Sequence, residues 1–199
     1  MVEEAYIEKV CIVRANSIVV DRVKRFSSED LLFAEFSKQA FRQINTEYPK
    51  FFKMDSLSKL AVLAAEYLLE GETIDDLALV LANRSGSLDT DVRHQKSIQH
   101  ENEYFPSPAT FVYTLANICA GEISIRHGLQ TENVFFVAED YPVDTALSYT
   151  EYLLKSGKAK QVLCGWVEFF EEKYDAVLYI VSPRGTKKHT AENIKALFE

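Results

Sequence analysis

Residues 77–82, Leu77, Ala78, Leu79, Val80, Leu81 and Ala82, form an unbroken apolar run. A strand without a polar face has both of its faces covered, so this run predicts a sheet with helices above and below it. Asn83, Arg84, Ser85, Gly86 and Ser87 end the run as a loop. The segments around it alternate in the same sense. Residues 5–14 are rich in Ile and Val and predict a strand, with a turn at Asn16 and Ser17 and a second short strand over 18–20. Ser27, Ser28, Glu29 and Asp30 read as a helix start, where a serine caps free N–H groups and the acids suit the positive end of the helix dipole. Leu31, Leu32, Phe36, Ala40, Phe41 and Ile44 follow as its apolar stripe.

A second helix opens at Asp55. Leu57, Leu60, Ala61, Ala64 and Leu68 share one face, Ser58, Lys59 and Glu66 lie off it, and Gly71 closes it. Residues 89–104 are polar and give no clear period. Pro106 and Pro108 precede an expected long apolar helix over 109–126, stopped by His127 and Gly128. Residues 133–138 predict another buried strand. Pro142 suits the first turn of a helix that runs to Ser156 and is closed by Gly157. Strands are expected over 161–164 and 176–182, and a short helix over 192–198. There is no repeat, low-complexity tract or Pro/Gly linker. The expectation is α/β, one domain over 1–199 with a short tail from about 184.

Composition narrows the function. The net charge is −8 and the isoelectric point about 5.1, which argues against nonspecific binding to nucleic acid or an anionic membrane. No apolar run approaches the roughly 20 residues that span a bilayer. Met1, Val2, Glu3 and Glu4 open with acids, so no secretory signal is expected. Cys11, Cys119 and Cys164 are few and separated, each in an apolar stretch; no disulfide framework is expected, and a reducing cytoplasm fits. Ten Tyr and thirteen Phe supply a packed core or an apolar ligand channel.

The order of several motifs is distinctive. Pro106-Ser107-Pro108 leads into a segment with Asn117, Ala120, Gly121, Ile123 and Ile125, then Gly128-Leu129 and Asn133. A strand, a sharp turn and a helix ending at Gly157 follow, then Ala159, a strand, Gly165 and Glu168. This sequence resembles the N-terminal half of a β-ketoacyl synthase of the thiolase-like superfamily. The segments over 54–60, 77–86 and 176–181 resemble further parts of it, so the likeness runs from about Met54 to Ser182. It implies a thiolase-like half fold, a mixed central β-sheet covered by helices.

The same resemblance implies a nucleophilic cysteine at the strand-to-helix corner, where a helix N-terminus lowers the thiol pKa and backbone N–H groups hold an oxyanion. Counting back from Gly157 and Gly165 places that position at Asp140, in Ala138-Glu139-Asp140-Tyr141-Pro142, and no cysteine lies between Glu122 and Lys160. A carboxylate is a poor acyl acceptor. Asp140 reads as a helix N-cap in preference to a general base. The family's two histidines come from a C-terminal half outside this sequence. His94, His100, His127 and His189 match neither, and a surface or capping role is expected for each. Cys119, read as mid-helix, and Cys164, read as mid-strand, are expected to be inert small hydrophobes. No metal or cofactor site is expected. Glu168, Glu171 and Glu172 are expected in a solvated loop, and Arg184 to Lys188 as a solvated basic tail able to meet an acidic carrier protein.

A half fold leaves an open strand edge and an uncovered helical layer. The resemblance therefore implies a dimer, with itself or with an active ketosynthase, and possibly an acyl carrier protein. The expected role is a noncatalytic subunit of bacterial fatty acid or polyketide synthesis, of aryl-polyene or flexirubin type, that scaffolds its partner or shapes its acyl channel. Two alternatives stand: an acyl-transfer or hydrolytic enzyme using Asp140, and an acyl-binding module without a ketosynthase partner.

Overall fold

A computed structural model describes residues 4–74, 76–99 and 105–199; Met1, Val2, Glu3 and His100 lie outside them. The elements are β1 (Tyr6–Arg14), β2 (Ser17–Val20), β3 (Val23–Ser27), α1 (Phe33–Gln43), a 3-10 turn (Pro49–Lys53), α2 (Ser56–Leu69), β4 (Leu77–Asn83), α3 (Leu88–Ile98), α4 (Pro108–Val112), α5 (Ile118–His127), β5 (Asn133–Val137), α6 (Val143–Lys155), β6 (Gln161–Phe170), β7 (Lys173–Ser182), β8 (Lys187–Lys188) and α7 (Ala191–Lys195). The strands form one sheet in the order β3-β2-β1-β7-β6-β4-β5, with β8 also paired to β1. β4 runs parallel to both β5 and β6, and the other pairings are antiparallel. The sheet is mixed, as expected.

β4 shows why its sequence has no polar face. Leu77, Leu79 and Leu81 join a core with α1, α2 and α5, whereas Ala78 and Val80 join a second core with α6 and α7. Alternation along the strand sends successive side chains to opposite faces. Burying each leucine stabilises the fold by roughly 1.5–3 kcal/mol. The approach of β7 to β6 is tight at Gly165, where a Cβ would stand 2.1 Å from the Val177 carbonyl oxygen. Only glycine fits there.

α2 is buried nearly all round, including Ser58 and Glu66, which were placed on a polar face. The helix is flanked by α1 and α5 and lies against β1, β6 and β7. Glu66 is tolerated there because Arg126 meets it at 2.7 and 3.1 Å and His127 Nε2 lies 3.2 Å away. Asp55 caps the helix by accepting the Ser58 N–H at 2.9 Å, and it also accepts from Thr90 Oγ1 at 2.9 Å. Burial raises the Asp55 carboxyl above its ordinary range despite these bonds.

Several expectations need correction. Residues 23–27 form β3, so Ser27 ends a strand and does not start a helix; α1 begins at Phe33 and its N-cap, Leu32, makes no side-chain cap bond. β3 is an edge strand with Val23, Lys24 and Arg25 exposed, so it lacks an apolar face to betray it. The helix expected over 109–126 is two helices. Between them Thr114 Oγ1 donates to the Phe111 carbonyl and Ser87 Oγ donates to the Thr114 carbonyl. Such local bonds compete with helix continuation. β5 is the sheet's other edge strand, with Asn133 and Val137 exposed. β6 and β7 extend well past their expected ends and meet in a tight hairpin at Glu171 and Glu172, both at positive φ. The basic tail is held in the fold: Lys187 and Lys188 pair with β1, Lys188 meets Glu4 at 2.6 Å and Arg184 meets Glu8 at 2.9 Å. No helix among the described residues is long and apolar enough to cross a membrane.

Candidate functional site

Ligands of parallel sheets collect where the strands' carboxyl ends open. Here β4 and β5 end level, with Asn83 opposite Val137, and β6 runs on past Trp166, which pairs with Ala82. The overhang carries Glu168 alongside the loop after β4. Glu168 Oε2 accepts the backbone N–H groups of Arg84 at 2.8 Å and Ser85 at 3.1 Å, and Ser85 Oγ donates to Oε1. Asn83 clamps the loop from within: Nδ2 donates to the Gly86 carbonyl at 2.9 Å, and Oδ1 accepts the Gly86 N–H at 2.8 Å. Glu168 is therefore a loop-organising carboxylate on a strand, not a member of a solvated acidic loop. The signal for it was its place as the glutamate that ends the glycine-bearing strand.

The fixed loop aims Arg84 across at the corner after β5. Its Nε donates to the Glu139 carbonyl at 2.7 Å, and its guanidinium lies 3.3 Å from Asp140 Oδ1. Asp140 is not a helix cap. The N-cap position of α6 is Pro142, which makes no side-chain cap bond, and the Asp140 side chain is 87% exposed. A cleft of about 430 Å³ opens beside it, lined by Arg84, Asp140, Tyr141, Trp166, Asp175 and Phe198 among others. Arg14 holds Asp175 through two bonds of 2.9 and 3.1 Å. Phe198, beyond α7, stacks on Tyr141 with ring centroids 4.6 Å apart.

Beneath the cleft runs a chain of buried polar groups. The Tyr141 and Tyr179 hydroxyls are 2.9 Å apart, and Thr150 Oγ1 lies 3.2 Å from Cys164 Sγ. Burial drives both phenols well above their ordinary range and pushes the Cys164 thiol up to about 12. A thiol so placed is not a nucleophile at neutral pH. Cys119 stands in the first turn of α5, not mid-helix, but it is fully buried and burial raises its pKa also. Cys11 is buried and pushed up to about 12.

The described histidines, His94, His127 and His189, are not among the residues that line the cleft. His94 faces the Phe111 ring at 5.5 Å, and His127 faces Glu66. His189 departs most from the expected surface role: it is buried, its ring nitrogens have no hydrogen-bond partner, and burial lowers its pKa to about 4. No group of three or more His, Cys, Asp or Glu among the described residues could hold a metal ion. The cleft brings together a guanidinium–carboxylate pair and aromatic walls. Arg84, Trp166, Asp175 and Phe198 carried no sequence signal for it, because they come from four separated segments.

The sequence matches no protein-family model and no curated protein. Solved structures do match. One is "The ishigamide ketosynthase/chain length factor", with TM-score 0.64 and 19% identity over 90% of this chain and 62% of that one. A second is "Ketosynthase (ApeO) in Complex with its Chain Length Factor (ApeC) from Xenorhabdus doucetiae", with TM-score 0.63 and 15% identity over 98% of this chain and 90% of that one. A third is "AntDE:AntF (apo): type II PKS acyl-carrier protein in complex with its ketosynthase bound to the hexaketide", with TM-score 0.61 and 12% identity over 91% and 62%. The chain has the thiolase-like ketosynthase fold. It spans under two thirds of the first and third of these structures, as a ketosynthase half fold does, and nearly all of the second. The identities are low, so the likeness is one of fold.

Proposed function

We propose that this chain is a noncatalytic ketosynthase-like subunit that pairs with an active ketosynthase and shapes its acyl channel, in fatty acid or polyketide synthesis of the aryl-polyene or flexirubin type. The observation that carries the reading is an open strand edge beside an apolar surface. β5 ends the sheet, and its Val137 is exposed. Val137 lies near Gly86 and Ala116, and Ser87 ties the same loop to Thr114. The surface continues through exposed Leu88 and Val92 on α3, Phe111 and Val112 on α4, and Leu115. An unpaired edge and a contiguous apolar patch together mark an interface.

In this reading Asp140 stands at the corner where ketosynthases carry the nucleophilic cysteine. Three buried, high-pKa thiols support a role without acyl loading. The second comparison supports it further, since a chain matched over 90% of its length belongs to a complex of a ketosynthase with its chain length factor.

The test is co-expression with a full-length ketosynthase of that type, followed by affinity purification and an acyl-transfer assay. A stoichiometric complex is expected, together with a change in product chain length when this subunit is omitted. Turnover by the isolated chain that disappears in an Asp140→Ala variant would sink the noncatalytic reading.

A further inference from the structure

Residues 189–198 span a buried pair of phenols and touch both members. At one end the His189 ring lies 5.8 Å from the Tyr179 ring. At the other, Phe198 stacks on Tyr141, whose hydroxyl is 2.9 Å from that of Tyr179. Between the two ends α7 sends Ile194 into the second core, which also holds Tyr179 and Cys164. Lys195 and Phe198 form part of the cleft wall beside Asp140.

Little ties this segment down. Among the described residues, the hydrogen bonds of Thr190 to Phe198 stay within residues 188–198: Thr190 Oγ1 accepts the Asn193 N–H at 3.3 Å, and Asn193 Nδ2 donates to the Lys188 carbonyl at 2.8 Å. The His189 N–H donates to the Ala5 carbonyl at 2.9 Å, and Ile194 is the one buried side chain of α7. An element docked through so few buried contacts opens at a lower free energy than the fold around it.

His189 is its weak point. The residue is 6% exposed, yet neither Nδ1 nor Nε2 has a partner. A buried polar group left unpaired favours any state in which water reaches it. A cavity of about 160 Å³ borders the ring, with Glu4, Glu151, Lys155 and Lys188 on its wall. Lys188 engages Glu4 at 2.6 Å and Lys155 engages Glu151 at 2.7 Å, so each carboxylate is already matched to a lysine. From β7 the ring faces the Tyr179 phenol, which burial keeps neutral. Glu151 favours a charged imidazole, but burial opposes it more strongly. Charging the ring therefore weakens the docked segment relative to an undocked one.

We propose that residues 189–198 form a proton-operated strap: a charge on His189 undocks α7, withdraws Phe198 from Tyr141 and opens the cleft beside Asp140 onto the second core. The strap goes beyond the subunit reading and does not depend on it.

An Ile194→Cys variant tests this, because position 194 is fully buried while α7 is docked. Cys11 and Cys119, buried in the other core, report global unfolding in the same sample. The chain is treated with a pyridyl disulfide, which labels thiols in acid as well as at neutral pH. Labelled sites are read by peptide mass, and each rate is divided by the rate in urea at the same pH. Between pH 6.5 and 5 the ratio at position 194 is expected to rise by up to about tenfold per pH unit, the limit for one linked proton, while Cys11 and Cys119 stay protected. On the same background, His189→Phe is expected to remove the rise. Phe198→Ala is expected to raise labelling at every pH and to leave the rise in place. Leu197→Cys, at a half-buried position, is the second reporter should Ile194→Cys expose Cys11 and Cys119. Labelling of the strap that only keeps pace with Cys11 and Cys119, or a rise that survives His189→Phe, overturns the proposal.

Discussion

Glu168 Oε2 sits 2.8 Å from the backbone nitrogen of Arg84, so a carboxylate on one strand fixes the loop that follows another. The same side chain takes the Ser85 N–H and the Ser85 hydroxyl. Glu168→Ala leaves three donors without this acceptor in a partly buried site, and a loss of about 2 kcal/mol in urea unfolding is expected. Glu168→Gln keeps one acceptor oxygen and is expected to lose about half as much. Equal stability of the alanine variant and the parent would show that water satisfies the loop.

Val137 tests the proposed interface without touching the core. It is 60% exposed at the end of β5. Val137→Lys is expected to leave the thermal midpoint of the isolated chain within about 0.5 kcal/mol equivalent. Co-purification with the ketosynthase is expected to fall sharply, because a lysine on the strand edge blocks both pairing and apolar contact. Undiminished co-purification would place the interface elsewhere.

Glu66 gives the stability curve an acid limb. Burial pushes its carboxyl up, but hydrogen bonds from His127 and Arg126 outweigh that and hold it below the ordinary range. The unfolded chain therefore binds a proton before the folded chain does. Glu66 contributes its full stabilisation above the ordinary carboxylate range and loses it as pH falls through the lowered value. Urea unfolding at a series of pH values is expected to show this slope below about pH 4.5, and Glu66→Gln to lower stability at pH 7 while flattening it.

His189 adds a separate slope at higher pH. Its folded pKa is about 4, against an ordinary 6.5, so between those values the unfolded chain binds the extra proton. Stability is complete above about pH 6.5 and falls as pH drops towards 4, by up to about 3 kcal/mol. His189→Phe, which keeps a ring beside Tyr179, is expected to remove this slope and leave the one from Glu66. An unchanged slope between pH 4 and 6.5 would mean that solvent reaches the imidazole.

The sequence disclosed what is written in continuous pattern. The apolar run over 77–82 announced a strand covered on both faces, Asp55 announced a cap, and Gly128 and Gly157 announced helix ends. The motif order announced the ketosynthase fold. Edge strands were harder, for opposite reasons. Exposed β3 offers no apolar alternation, while β5 is apolar enough to pass for a core strand although it ends the sheet and Val137 is exposed, as the proposed interface requires. Glu66 and Ser58 looked like a polar face because periodicity cannot show that α1 and α5 flank α2. Of the cleft, only Asp140 was marked beforehand, and its role as a cap was wrong. Its neighbours Arg84, Trp166, Asp175 and Phe198 are assembled by topology, which no local window contains.

Trp166 is the protein's single tryptophan, and it lines the cleft beside Asp140. Nature has thus installed one indole reporter at the place of greatest functional interest. Excited at the red edge of its absorption, where the ten tyrosines absorb little, that fluorophore supplies nearly all of the emission. Anything that enters the cleft, or any partner that closes over it, is readable as a spectral change in an unlabelled sample, provided the partner's own indoles are removed.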